Sequence, residues 1–261
     1  MRALIFGITV LAAVTFWETA AQGDLVHQWT FNNVNDGFGG GRDYVGNAHG
    51  SFFGDVGFEN GQLVLTGAGR MATDYTNQTI GESTLVAWVT NVGTTAGGGV
   101  ISIANGAPEE TFNGIVYGER TPNQWMNGSN GWSRTLVNNG GALENSTEQI
   151  MMAITYSAGG QITLYRNGEF YANGGTFALQ SFVDPRFHIG ARHVNPSAGT
   201  PPGNGWYRGL IDEARVYNSA LSASEIQALY VEGPVPIPEP STIAALAILG
   251  TIAMVRRSRR N

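Results

Sequence analysis

The chain has 261 residues, of which 37 are Gly and none is Cys, and all 14 basic residues are Arg. This excludes disulfide frameworks, zinc–thiolate sites, cysteine nucleophiles and every lysine-dependent chemistry. With 42% hydrophobic and 10% aromatic residues the chain is not a disordered one, and glycines without a period of three exclude a collagen-like repeat.

Residues 1–21 read as a secretory signal: Arg2 supplies a positive start, Ala3 to Trp17 an apolar run, and Thr19-Ala20-Ala21 the small residues that place cleavage after Ala21, with Gly23 as the second choice. From residue 24 onward, short apolar runs alternate with Gly/Asn/Ser turns, the spacing of a sandwich or jelly roll. Leu25–Phe31 is the first strand. Gln62–Leu65 and Arg70–Thr73 read as two short strands around a Gly67/Gly69 turn. Thr84–Thr90 is apolar at successive positions, which predicts a central strand buried on both faces. Val100–Ala104 and Gly114–Tyr117 follow. Met151–Tyr156, Ile162–Arg166 and Glu169–Ala172 form a meander, its second turn set by Asn167-Gly168, which accepts positive φ at both positions. Phe187–Gly190 and Tyr207–Tyr217 complete the set. Ser222-Ala223-Ser224-Glu225 is a capping box that opens one short helix with Ile226, Leu229 and Tyr230 on one face.

After the domain at 24–232, the stretch 233–241 is rich in proline, which removes amide donors and fixes φ, so it reads as a stiff linker. Thr242 to Val255 is an uncharged apolar run, short for a membrane-spanning helix, followed by Arg256, Arg257, Arg259 and Arg260. Pro238-Glu239-Pro240, the apolar run and the Arg cluster over 238–261 together resemble the PEP-CTERM sorting signal of bacterial exosortase systems. The resemblance implies export to the cell envelope or extracellular matrix, membrane retention through the C-terminal helix before processing, and an exosortase-type processing enzyme as partner. Residues 24–232 carry 9 Arg against 18 Asp and Glu, a net charge of −9, which disfavours nucleic acid as a partner.

Leu25-Val26-His27-Gln28-Trp29-Thr30-Phe31, the Asp43-Tyr44-Val45-Gly46-Asn47 turn, Thr84–Val89, the meander from Ile154 to Gly168, and above all the closing strand and helix Gly209–Tyr230 resemble the laminin G-like, concanavalin A-like jelly rolls. The implied fold is an all-β jelly-roll sandwich with one short C-terminal helix.

Three residues form a candidate site for structural Ca²⁺. On the closing strand, Leu210, Asp212, Ala214 and Val216 make the more apolar face, which places Asp212 inward, and a buried carboxylate needs a cation, an Arg or backbone amides. Asn32 and Asp43 would supply further oxygens to the metal; the competing reading has Asp43 capping its own turn. Aromatic residues in polar loops form a second candidate: Tyr117, Trp125, Trp132 and Arg134, with Trp206 and Tyr207 beside another Gly/Pro-rich loop. Rings that stack on sugar CH faces, with Arg and Asn hydrogen bonds, suit a glycan. The four histidines show no metal-ligand spacing and read as structural. The paired-carboxylate pattern of related glycoside hydrolases is missing, and Asp212-Glu213 and Glu109-Glu110 are neighbours that point to opposite faces of a strand. The expected function is therefore non-catalytic carbohydrate binding, with a structural or adhesive matrix role, recognising protein or itself, as the alternative and a diverged glycoside hydrolase behind both.

Overall fold

The computed structural model describes residues 23–92, 98–105, 111–129, 141–194 and 205–237. These form fourteen strands and one helix: β1 (Leu25–Trp29), β2 (Gly50–Glu59), β3 (Gln62–Thr73), β4 (Thr79–Ile80), β5 (Ser83–Asn91), β6 (Gly98–Ala104), β7 (Phe112–Tyr117), β8 (Trp125–Ser129), β9 (Ile150–Tyr156), β10 (Gln161–Arg166), β11 (Glu169–Thr176), β12 (Phe182–Val183), β13 (Arg186–Ile189), β14 (Arg208–Tyr217) and α1 (Ala223–Glu232). Pairing runs β11-β10-β9-β5-β14-β3-β13-β6-β7-β8, with β1 on β14 and β2 on β3; β4 and β12 form a separate pair.

The continuous sheet folds over into two layers. The back layer is β11, β10, β9, β5 and β14, with β1 and the first half of β3. The front layer is the second half of β3 with β13, β6, β7 and β8. β3 belongs to both: Leu63 and Leu65 pair with Ile211 and Gly209 of β14, whereas Met71 and Ala72 pair with Ile189 and His188 of β13. Gln62 to Thr73 is thus one strand that passes through Gly67 and Gly69, where the sequence suggested a turn. Leu85, Ala87 and Val89 of β5, Met152 and Ile154 of β9, and Phe187 and Ile189 of β13 fill the space between the layers. β2, β4, β8 and β12 were not expected as strands.

The other face of β5 is also covered. Val86 and Trp88 pack with Met151, Ala153, Ile226 and Leu229 beneath α1, so the Thr84–Thr90 run is apolar because it separates two apolar clusters. Ser222 caps α1 as its sequence predicts: its Oγ accepts from the Glu225 amide, and the Glu225 carboxylate takes the Ser222 amide at 2.7 Å. No helix among the described residues is long and apolar enough to cross a membrane. Residues 1–21, Pro238, Glu239, Pro240, the apolar run and Arg256 and Arg257 lie outside the described residues.

β14 does not follow simple alternation. Against β5, Ile211 faces Val89 and Glu213 faces Trp88, so Asp212 is the extra residue of a β-bulge. A bulge re-aims every side chain beyond it. Ile211, Ala214 and Val216 therefore face the core, Asp212 stays half-buried, and Glu213 and Arg215 are buried on the helix side. The inward placement of Asp212 is corrected accordingly: the fully buried carboxylate belongs to Glu213.

Candidate functional site

Phe31, at φ 55°, turns the chain out of β1 into a loop, Asn33–His49, that runs along the rim to β2. Side-chain carbonyls and carboxylates hold its first half in short turns. The Asn33 Oδ1 accepts from the Asn35 amide at 2.9 Å, and the Asp36 Oδ1 accepts from Phe38 at 2.7 Å and Gly40 at 3.1 Å. Asp43 organises the second half. It is buried, and its Oδ1 accepts backbone N–H bonds from Gln28 (3.0 Å), Val45 (3.1 Å) and Gly46 (2.9 Å). Its Oδ2 accepts from Ala48 (2.9 Å) and from His27 Nδ1 (2.6 Å). Burial pushes this carboxyl up, but the His27 bond and the amides of Gln28 and Gly46 outweigh it and lower the pKa to about 2. His27 is fixed in turn by ring packing against Phe187 and Trp29, with centroids at 4.9 and 5.8 Å.

The consequence is a turn with a rigid underside and a projecting upper side. Arg42, Tyr44, Val45 and Asn47 are exposed to solvent around the buried Asp43. The Arg42 guanidinium lies 5.4 Å from the Tyr44 ring centroid. Phe38, also exposed, stacks on His49 at 3.9 Å. Two exposed rings, a guanidinium and Asn amides on a preorganised backbone are the groups that a sugar needs: an apolar face to stack on and donors for its hydroxyls.

The residues singled out from the sequence fall elsewhere. Tyr117, Trp125 and Tyr207 are interior residues rather than loop platforms, each at most 1% exposed. Tyr117 and Trp125 are in ring contact at 4.6 Å, the Trp125 Nε1 donates to Glu144 at 3.2 Å, and the Tyr207 hydroxyl donates to Asn91 at 2.8 Å. They lie on or beside the strands that close the sandwich, so as a sugar-stacking surface they are corrected. Trp206 is half-buried, in a backbone bridge to Ala191. Trp132 and Arg134 lie outside the described residues.

The three proposed calcium ligands each have other partners. Asp43 has five protein donors. Asp212 accepts from Gln149 Nε2 at 2.7 Å; burial raises its pKa against the pull of the Gln149 and Gln62 bonds. The Asn32 Nδ2 donates to the Val235 carbonyl at 2.9 Å. No group of three or more His, Asp and Glu suited to a metal ion occurs among the described residues.

Two features escaped the sequence reading. The exposed rim of Phe38, Arg42 and Tyr44 left one signal: large side chains alternating about an Asp, in a loop too Gly-rich to bury them. Glu213 left none that alternation could read, because the bulge precedes it. Its Oε1 accepts from Gln28 Nε2 at 2.6 Å and from Arg215 Nε at 2.5 Å, and Arg215 lies over the Trp88 ring at 4.7 Å.

A sandwich of two antiparallel layers, with a short helix on the back, defines a jelly roll. The Laminin_G_3 family, described as the concanavalin A-like lectin/glucanases superfamily, matches residues 60–227, and the chain belongs to it. No curated protein matches the sequence. Among solved structures, domain 4 of AbnA, a GH43 extracellular arabinanase from Geobacillus stearothermophilus, in complex with arabinotriose, is similar with a TM-score of 0.61 at 18% identity, over 79% of this chain and 98% of that one. A Trypanosoma rangeli sialidase in complex with sialic acid is similar with a TM-score of 0.55 at 16% identity, over 80% of this chain but only 33% of the sialidase. The SAP-like pentraxin from Limulus polyphemus has a TM-score of 0.53 at 12% identity, over 64% of this chain and 79% of the pentraxin. At these identities the likeness is one of fold.

Proposed function

We propose that the domain is an exported, non-catalytic carbohydrate-binding module that holds a glycan against the rim loop Asn33–His49. Tyr44 and Phe38 provide the stacking surfaces, and Arg42 and Asn47 the hydrogen bonds to hydroxyls. The observation that carries this reading is the Asp43 carboxylate with its five donors: it fixes the backbone before any ligand arrives, so binding costs little ordering entropy. The arabinotriose-bound relative of the same fold supports a sugar as the ligand class. A binding rather than a catalytic role is supported by the buried acids. Asp43, Glu144 and Glu213 already hold amides or an Arg, which leaves none of the three placed for acid–base work on a glycosidic bond.

Affinity electrophoresis of the intact chain in gels containing soluble polysaccharides, arabinan among them, tests the proposal. Retardation by at least one polysaccharide is expected, abolished by Tyr44→Ala and weakened by Arg42→Ala. Both side chains are exposed, so melting temperatures should stay within about 2 °C of the parent. Retardation that survives both substitutions would overturn the assignment to this loop.

A further inference from the structure

The proline-rich segment after α1, which its composition makes a stiff linker, begins by docking on the sandwich. Gly233, at φ 78°, gives its N–H to the Leu229 carbonyl at 3.0 Å and turns the chain back across the sandwich. The next donor is Val235, because Pro234 and Pro236 have no N–H. That one amide donates to the Oε2 of buried Glu213 at 2.6 Å. The Val235 carbonyl accepts from Asn32 Nδ2 at 2.9 Å, and the Gly233 carbonyl accepts from Arg215 Nη2 at 3.3 Å. Farther along, Ile237 packs on the Asn60–Gly61 turn. A Cβ at Gly61 would stand 2.7 Å from the Ile237 Cδ1 and 2.5 Å from the Asn32 Oδ1, so the turn is shaped to leave room for the segment.

We infer that Asn32, Glu213 and Arg215 form a peptide-binding clamp on the sandwich, whose ligand is the chain's own Gly233–Ile237 segment. Both hydrogen-bonding groups of one residue, Val235, are taken by side chains that come from strand regions far apart in sequence. Glu213 is fully buried: Gln28 and Arg215 satisfy one of its oxygens and Val235 the other. The segment is thereby part of the carboxylate's environment. The flanking prolines restrict Val235 to extended conformations, so little chain entropy opposes docking. The docked chain then extends past Glu232 at least to Ile237, beside the β2–β3 turn. This goes beyond the glycan reading and does not depend on it.

The test uses the full chain. Val235→Pro removes one N–H while keeping the extended backbone; Val235→Ala keeps the N–H and trims the side chain. Melting about 4–8 °C lower is expected for Val235→Pro, and a change within about 2 °C for Val235→Ala. Hydrogen exchange on the unsubstituted protein gives a second readout should Val235→Pro fail to fold. The Val235 amide should exchange at least about tenfold more slowly than in the free peptide. Equal melting of the two variants, or exchange of Val235 at the free-peptide rate, would overturn the clamp.

Discussion

Replacing Asp43 with Asn changes one oxygen to an NH₂ at the centre of the rim loop and alters almost nothing in volume. The amide oxygen can still accept from Gln28, Val45 and Gly46, and His27 Nδ1 can accept from the new NH₂ in its other tautomer, but that NH₂ also faces the Ala48 N–H, so donor meets donor where the carboxylate Oδ2 stood and the bonds to a charged acceptor are lost. The energetic scale follows from the carboxyl itself. Its pKa is lowered from 3.8 to about 2, which favours the charged, folded form by about 2.5 kcal/mol. For a domain of this size that corresponds to roughly 5–10 °C in melting temperature. The sign of the pH dependence is fixed by the direction of the shift. The contribution is complete above the unfolded value, near pH 4, and is lost as pH falls through the folded value near 2. Thermal melts of parent and Asp43→Asn should therefore differ by the full amount at pH 7 and converge between pH 4 and pH 2. A difference below about 2 °C at pH 7, or one that does not shrink on acidification, would refute this account of the loop.

Glu213→Ala leaves the buried Arg215 only the exposed Glu232 carboxylate and strips Gln28 and Val235 of their acceptor, so it should cost about 3–5 kcal/mol in urea unfolding, whereas Asp212→Ala, at the half-buried bulge, should cost less than about 1 kcal/mol; equal effects would contradict the bulge. Trp125→Ala should destabilise by about 3–5 kcal/mol because a fully buried indole is removed, and polysaccharide retardation should survive under conditions where the variant remains folded. Melting curves in calcium and in EDTA should coincide, since protein donors already surround Asp43; a shift above about 2 °C would restore a structural cation.

Local signals in the sequence transferred well to the structure. The Ser222/Glu225 capping box, the Asn167-Gly168 turn with both residues at positive φ and the doubly apolar β5 depend on neighbours within a few positions, and each stands as its residues suggest. Long-range geometry did not transfer. Tyr117 ends the expected Gly114–Tyr117 strand and Trp125 follows in Gly- and Asn-rich surroundings that look like loop, yet β7 and β8 pair with each other and carry both rings inward. Gly50–Glu59 lacks the alternation of a strand because β2 pairs only with β3 and is largely open to solvent. The bulge at Asp212 changes the parity of β14, so an argument from alternation assigns the wrong acid to the interior. Asp43 capping its own turn was one of the two readings open from sequence; how many amides converge on it could be seen only in the folded chain.

One strand serves both layers. Because β3 bonds to β14 through its first residues and to β13 through its last, neither layer can part from the other without breaking a continuous twelve-residue run. Among the described residues the two layers thus share one backbone element, and loss of structure in either half should propagate to the other in a single cooperative event. New termini introduced near Gly67 would sever that shared element, while an opening in the Ser157–Gly160 turn of the meander would spare it, so circular permutants at the two positions should differ sharply in whether they fold at all.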